Sequence, residues 1–377
     1  MKRILPIILV VCMMLCACAK EPAEQTTDAV ITPTENVTTV PTTEEPTTAA
    51  TEETTEPVAT EETVPVEVGN FRNPINGTPL SEEHTARPYA VVINNIVYAQ
   101  PMCSIGSADF VFEVLTEGGI TRCLAVYSDI SEVMHIGAIR SARPCLVDLA
   151  SSFDAIFIHH GGSVDGYDRM DELGTDDIDA LSHGSGAFYR DQNRLDVGYD
   201  LEHTSFADGD DLMDEIYDLG YKTELSEGVD FGFLFDDVSS TANGQSAEKV
   251  KVTYTASGKT TKFTFDNQLG RYKMEQFQEN VVDGNTDKAV SFRNVIVLNV
   301  ETYNYELDGT VRVHVTLTGE GTGYLACDGR MVPICWSRNS NTDPFAFTME
   351  DGTPLTLGVG NTFVAVTPLS GDVEITE

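Results

Sequence analysis

Tryptophan occurs once in 377 residues, and cations are scarce: 23 lysines and arginines stand against 60 aspartates and glutamates, a formal net charge of −37. That imbalance argues against nucleic acid and anionic lipid headgroups as partners, because so acidic a surface repels polyanions. Catalytic signatures are missing too. Gly184-Ser185-Gly186 and Gly162-Ser163-Val164 both fail the Gly-x-Ser-x-Gly elbow pattern. Phosphate-loop and dinucleotide fingerprints are absent, and no cysteine has a protease context. His159, His160, His183 and His203 lack zinc-ligand spacing. Asp208-Gly-Asp-Asp211 and Asp176-Asp-Ile-Asp179 do not match the EF-hand loop, and Asp208 has a simpler use as a helix cap. The expectation is therefore no metal and no cofactor.

What is present begins with an export pattern. Lys2 and Arg3 precede an apolar run from Ile4 to Leu15 that is too short to span a membrane comfortably. Residues 1–18 thus read as a signal peptide, and Leu15-Cys16-Ala17-Cys18 is similar to a bacterial lipobox, with Cys18 as the lipidated residue. A plain secretory signal is the alternative. The resulting location is extracytoplasmic, with the lipid as the sole contact with the membrane. Residues 19–70 are rich in Thr, Glu, Pro, Val and Ala and contain no aromatic side chain. Such a composition cannot bury enough surface to offset the entropy of ordering, so a disordered linker is expected.

Of eight cysteines, three (Cys12, Cys16 and Cys18) belong to the leader. Cys103, Cys123, Cys145, Cys327 and Cys335 form an odd set with no recognisable framework. A two-residue turn at Asp328-Gly329 would pair Cys327 with Arg330 and leave Cys335 out of register. Free, buried thiols are expected.

From Phe71 the chain reads as folded, and hydrophobic residues make up 41% of the sequence, enough for real cores. Strands are predicted at Tyr89–Asn94, Asp109–Leu115 and Ile120–Tyr127, then a helix opened by Pro144, then a buried strand at Ala155–Ile158. A further helix spans Asp208–Leu219 and ends at Gly220. From about Lys249 the register changes to strands at 251–254, 262–265, 294–300, 310–317 and 362–366, separated by turns. The fold class is α+β: a mixed α/β layered domain over 71–225, then a mostly-β domain over 226–377, a sandwich or small barrel. The boundary falls between 220 and 248.

Polar groups concentrate in two stretches, Gly137–Pro144 and Ala155–Ser163. Arg140 and Arg143 flank a helix N-terminus, where the macrodipole disfavours cations by about 0.3–1 kcal/mol each. They need an anionic partner, either an internal carboxylate or a bound anion. His159 and His160 end the apolar strand, where ligands gather in open α/β sheets. Gly161-Gly162 would let a backbone approach closely. Neighbouring strand residues face opposite ways, so both histidines cannot hold one metal.

These residues carry a resemblance. Arg87-Pro-Tyr-Ala-Val-Val-Ile-Asn-Asn95, Ala108–Glu113 with Glu117–Arg122, Gly137–Pro144 and His159–Ser163 look similar to the YerB-like bacterial lipoproteins, a family of unknown function. Asn294-Val-Ile-Val, Gly319–Gly323 and Trp336 with Arg338 continue the match. Two positions depart from the family pattern: Pro101-Met-Cys-Ser104 replaces a Pro-Gln-Ser-Gly-like turn, and Glu202-His203 a Pro-His. The resemblance implies a two-domain extracytoplasmic lipoprotein and brings no activity and no catalytic residue.

The expected function is a tethered binding module for a small anionic or polyol ligand or other cell-envelope component. Arg140 and Arg143 would hold the negative group, with Asn94, Asn95, Glu117, Arg122, His159, His160 and His203 around it. One alternative is a cell-wall hydrolase that uses Glu113 or Glu117 as acid or base beside a histidine, with a second carboxyl about 5–9.5 Å away. The other is a scaffold that binds a protein partner through its β domain.

Overall fold

A computed structural model describes residues 71–377. The expected signal peptide, lipidated Cys18 and linker lie outside the described residues. In chain order the elements used below are β1 (Tyr89–Asn95), β2 (Phe110–Leu115), β3 (Thr121–Tyr127), α1 (Pro144–Ser151), β4 (Ile156–His159), α2 (Val164–Leu173), β5 (Asp177–Asp179) and α3 (Gly209–Leu219). The second half adds β6 (Lys249–Thr253), β7 (Thr260–Asp266), β8 (Arg271–Gln276), β9 (Asn294–Val300), β10 (Gly319–Cys327), β11 (Arg330–Arg338), β12 (Thr362–Pro368) and β13 (Asp372–Thr376). No helix among the described residues is long and apolar enough to cross a membrane.

One sheet runs through both halves. Its order is Gln245–Ser246, β11, β10, β9, β12, β2, β3, β1, β4, β5, with Ala346–Met349 also on β11. β12 lies parallel to β9 on one side and parallel to β2 on the other, with Thr362 opposite Phe110 and Val366 opposite Val114. The expected α/β-then-β order therefore holds along the chain, while the two halves share a continuous sheet. No barrel closes, because the large sheet ends in β5 on one side and in short strands on the other.

Alternation of side chains builds a core on each face. Val91, Ile93, Val111, Cys123, Ala125, Val295 and Phe363 face a second sheet, ordered β8, β7, β6, β13, and pack on Val250, Val252, Phe263, Tyr272 and Met274. Ala90, Val92, Phe112, Leu124, Val364 and Val366 face the other way, onto Leu146, Leu149 and Phe153. Pro144 occupies the first helical position of α1, where its missing N–H costs nothing. Arg338 of β11 is buried and donates from Nη2 to Asp148 O of α1 (2.6 Å), a further tie between the halves.

Cys103, Cys123, Cys145 and Cys327 are free and buried, and Cys335 is free and half-buried. Cys327 pairs with Arg330 across the turn, and Cys335 lies opposite Thr322. Asp208 stands at the N-cap position of α3 but makes no capping bond. Its carboxylate instead accepts from the His135 N–H and from Tyr189 Oη (3.0 Å). With Asp210 and Asp211 it forms a loose acidic group, two members of which are exposed.

The Glu113 side chain lies fully buried between the two sheets. Its Oε1 accepts from Asn95 Nδ2 (2.8 Å), Thr121 Oγ1 (2.7 Å) and Gln276 Nε2 (3.2 Å), and its Oε2 accepts from Tyr254 Oη (2.9 Å) and Thr261 Oγ1 (2.6 Å). Lys259 Nζ is 3.3 Å from Oε1, close enough for an ion pair but without hydrogen-bond alignment. A buried carboxylate is tolerated only when its lone pairs are met in this way. Glu113→Gln, which turns an amide N–H₂ toward these donors, should lower stability by about 3–5 kcal/mol. Urea unfolding of the two proteins would measure the difference, and an unchanged midpoint would refute the assignment.

Candidate functional site

Backbone hydrogen bonds fix the place of the Gly137–Pro144 segment. Asn94 N donates to Ala138 O (2.9 Å) and Arg140 N to Val92 O (2.9 Å), which lays it along the end of β1. On its other side His160 N donates to Arg140 O (3.0 Å) and Ala142 N to Gly161 O (2.8 Å). The two polar stretches of the sequence are thus laced together. Gly161 has φ of +67°, and a Cβ there would meet Leu181 Cδ1 at 2.7 Å. Its glycine serves this turn, and the close approach at Gly162 is filled by the Tyr167 ring. A small sheet of Ile136–Gly137, Ser205–Ala207 and Phe188–Arg190 brings Ser205 and Arg190 to the same place.

The two arginines have different fates. Arg143 forms a bidentate pair with Glu117, with Nε 2.9 Å from Oε2 and Nη2 bonded to Oε1. Arg122 Nη2 is 3.8 Å from the same Oε1, and Arg122 Nη1 donates to Ser141 O (2.6 Å). Burial pushes the Glu117 carboxyl up, but the hydrogen bonds and charge of Arg143, with Arg122 behind it, outweigh burial and hold it at about 2. Burial and the neighbouring Arg143 push Arg122 down to about 9. This triad is closed, and Glu117 is the anionic partner that Arg143 needs beside the helix N-terminus.

Arg140 is only partly engaged. Its Nη2 lies 3.0 Å from Glu202 Oε2, yet the Glu202 side chain is 55% exposed. Arg140 Nε is buried with no acceptor. Opposite it, Arg190 donates from Nη1 to Leu201 O (2.8 Å) and from Nη2 to His160 Nε2 (3.1 Å). Arg190 makes no ion pair among the described residues, and burial alone shifts it downward. Because Arg190 donates to Nε2, the His160 proton is assigned to Nδ1, which donates to Ser205 Oγ (2.7 Å). That polarity is the reverse of a serine–histidine nucleophile, in which the ring must accept from the hydroxyl. Burial, then the Arg190 charge, pushes His160 down to about 4. Ile139, Arg140, His160, Arg190, Leu201 and Glu202 line a cavity of about 260 Å³.

The remaining sequence candidates lie elsewhere. His159 is fully buried, and its ring nitrogens face Gly161 O (2.8 Å) and Asp177 Oδ2 (3.0 Å), so it cannot reach a ligand. Asn95 belongs to the Glu113 network rather than to the arginines. Asn94 Nδ2 donates to His203 Nδ1 (3.0 Å), and burial pushes the His203 pKa down. His203 borders a second cavity, of about 320 Å³, beside Val97, Tyr98 and Val197. Arg122, Arg143 and Glu117 are bound to each other. The acid–base reading of Glu113 and Glu117 fails on geometry: the first is buried and saturated, the second is clamped by Arg143. The sequence assigned no site role to Arg190 or Ser205, which reach the site only through the pairing of their strands, or to Glu202, which stood out only as a departure from the family pattern.

Residues 76–222 match the N-terminal domain, and residues 250–364 the C-terminal domain, of the family described as protein of unknown function DUF3048. The chain belongs to this two-domain family, that of the YerB-like proteins. YerB of Bacillus subtilis (strain 168), named as a lipoprotein, is 27% identical over 310 residues, which cover 81% of this chain and 88% of that protein. The crystal structure of Bacillus subtilis YerB matches with a TM-score of 0.69 at 25% identity, over 80% of this chain and 99% of that one.

Acid should weaken the fold in two resolvable steps. His160 lies at about 4 when folded against an ordinary 6.5, so between these values the unfolded chain binds the extra proton and stability falls as pH drops. Glu117 lies at about 2 against 4.5, so its contribution is lost lower, as pH falls from 4.5 toward 2. In unfolding midpoints measured against pH, His160→Gln should reduce the loss in the upper range, to which the lowered His203 and His84 also contribute, and Glu117→Gln the loss in the lower one. Identical curves for all three proteins would contradict this placement.

Proposed function

We propose that the protein is an extracytoplasmic, lipid-anchored binding module, and that its ligand is a small anionic or hydroxyl-rich component of the cell envelope. The lipobox-like Cys18 and the name of the Bacillus subtilis relative support the anchoring. One observation carries the ligand class. In a chain of net charge −37, the cavity at His160 holds two guanidiniums against one carboxylate, and that carboxylate is largely in water. Among the described residues Arg190 has hydrogen bonds but no carboxylate partner, and Arg140 keeps a buried N–H without an acceptor. A carboxylate or phosphate oxygen there would complete both, and two guanidiniums at one site suit a forked anion. The Leu201 carbonyl, which keeps a second lone pair beside its bond from Arg190, adds an acceptor that suits a hydroxyl beside the anion. Glu202 acts as the internal stand-in, bound to Arg140 until a ligand displaces it.

Calorimetric titration with inorganic phosphate and with glycerol 3-phosphate tests this reading. Arg140→Gln and Arg190→Gln should each weaken binding about tenfold or more, since a charge-assisted hydrogen bond contributes about 1.5–3 kcal/mol. Glu202→Gln should tighten it by removing the competitor. Arg143→Gln should leave affinity unchanged at equal folded fraction, because Arg143 is already paired. Absence of saturable binding by either anion, or equal affinity in the Arg190→Gln protein, would defeat the proposal.

A further inference from the structure

A different cleft, of about 410 Å³, opens between the Val97–Pro101 turn and the edge of the smaller sheet. Its walls include Val97, Pro101, Phe277 and Val281, with Gln100 and Gln276 supplying side-chain amides. None of the side chains lining it is cationic, and Glu279 is its one carboxylate. The turn is held stiffly. Tyr199 Oη donates to Gln100 O (2.6 Å), and Arg194 donates to Ala99 O (2.9 Å) and to Pro101 O.

Of the three amide side chains at this cleft, Gln100, Gln276 and the exposed Asn280, the first two are incomplete. Gln276 is 3% exposed, and its Nε2 donates to Glu113 Oε1 (3.2 Å) and Thr261 Oγ1 (2.7 Å). A carboxylate can only accept here, so the amide cannot be turned over. Among the described residues its Oε1 is left as a buried acceptor with no donor, and Gln100 Nε2 as a buried donor with no acceptor. Buried polar groups without partners are uncommon in folded proteins, and such a pair in one cleft indicates what is missing. We propose that this cleft is a second binding site, for an uncharged secondary amide. The amide N–H would donate to Gln276 Oε1 and its C=O would accept from Gln100 Nε2. The apolar walls would take a methyl or other small apolar substituent, and Glu279 disfavours an anion.

Two sources share this chemistry, the acetamido group of an amino sugar and the backbone of a peptide. NMR titration of the full chain with N-acetylglucosamine and with N-acetylalanine methylamide separates them, with glucose and methyl O-acetyl-lactate, in which both amides are replaced by esters, as amide-free controls. Saturable binding of one amide names the source, and binding of both assigns the amide group itself as the determinant. Gln100→Met should weaken that binding up to about tenfold, the loss of one neutral hydrogen bond. Val97→Trp, at a half-exposed position, should block the cleft and serves if Gln100→Met does not fold. The proposal is overturned if neither amide saturates, if the controls bind equally, or if a folded variant binds as the parent does. The probes are uncharged and the cleft shares no residue with the arginine cavity, so this outcome is independent of the anion reading.

Discussion

Glu113 sets the relation between the two sheets. A carboxylate placed in an apolar interface is costly unless every lone pair finds a donor. Here the donors come from both sides: Asn95 and Thr121 from the large sheet, and Tyr254, Thr261 and Gln276 from the smaller one. Sliding one sheet over the other by a residue would exchange these donors for apolar neighbours and strand the charge. Hydrophobic packing around it is tolerant of small shifts, whereas this network is not. It therefore fixes where Gln276 and the strand beyond it meet the Val97–Pro101 turn, and with that the shape of the cleft between them.

The arginine cavity follows a different logic. Four guanidiniums gather near the start of α1, and Glu117 pairs with two of them, those of Arg143 and Arg122. What remains, Arg140 and Arg190, faces a cavity in which His160 is kept neutral by burial and by Arg190 itself. The arrangement concentrates positive potential locally on a molecule whose overall field is negative. A small anion can satisfy such a site, while an extended polyanion meets repulsion from the surrounding surface.

Much of this was legible in the sequence. Pro144 marked the start of α1, and short runs rich in β-branched and aromatic residues marked β1, β2, β3, β9 and β12, because propensity and burial agree there. The juxtaposition of Gly137–Pro144 with His159–Ser163 was legible as well, from polar residues crowding two element ends. Individual roles were not. Arg140 and Arg143 look equivalent in sequence, and only the reach of Glu117 divides them. Glu113 reads as a catalytic candidate because a lone acid in an apolar strand signals a special environment without saying whether that environment is wet. Arg190 carried no signal, since its place depends on the pairing of Phe188–Arg190 with Ser205–Ala207. The continuity of the large sheet was invisible for the same reason: β12 pairs with β2 across some two hundred and fifty residues.

That last pairing also sets an order of events in time. During synthesis β2 emerges long before β12, and until β12 arrives its outer edge presents unpaired N–H and C=O groups. The smaller sheet, which supplies the donors for Glu113, comes late as well. The first half of the chain cannot complete its sheet until strands made near the end arrive, and long-range parallel pairing of this kind is slow. A polypeptide built this way matures as a whole, and partially made or truncated forms would expose the adhesive edge that the complete protein hides in its middle.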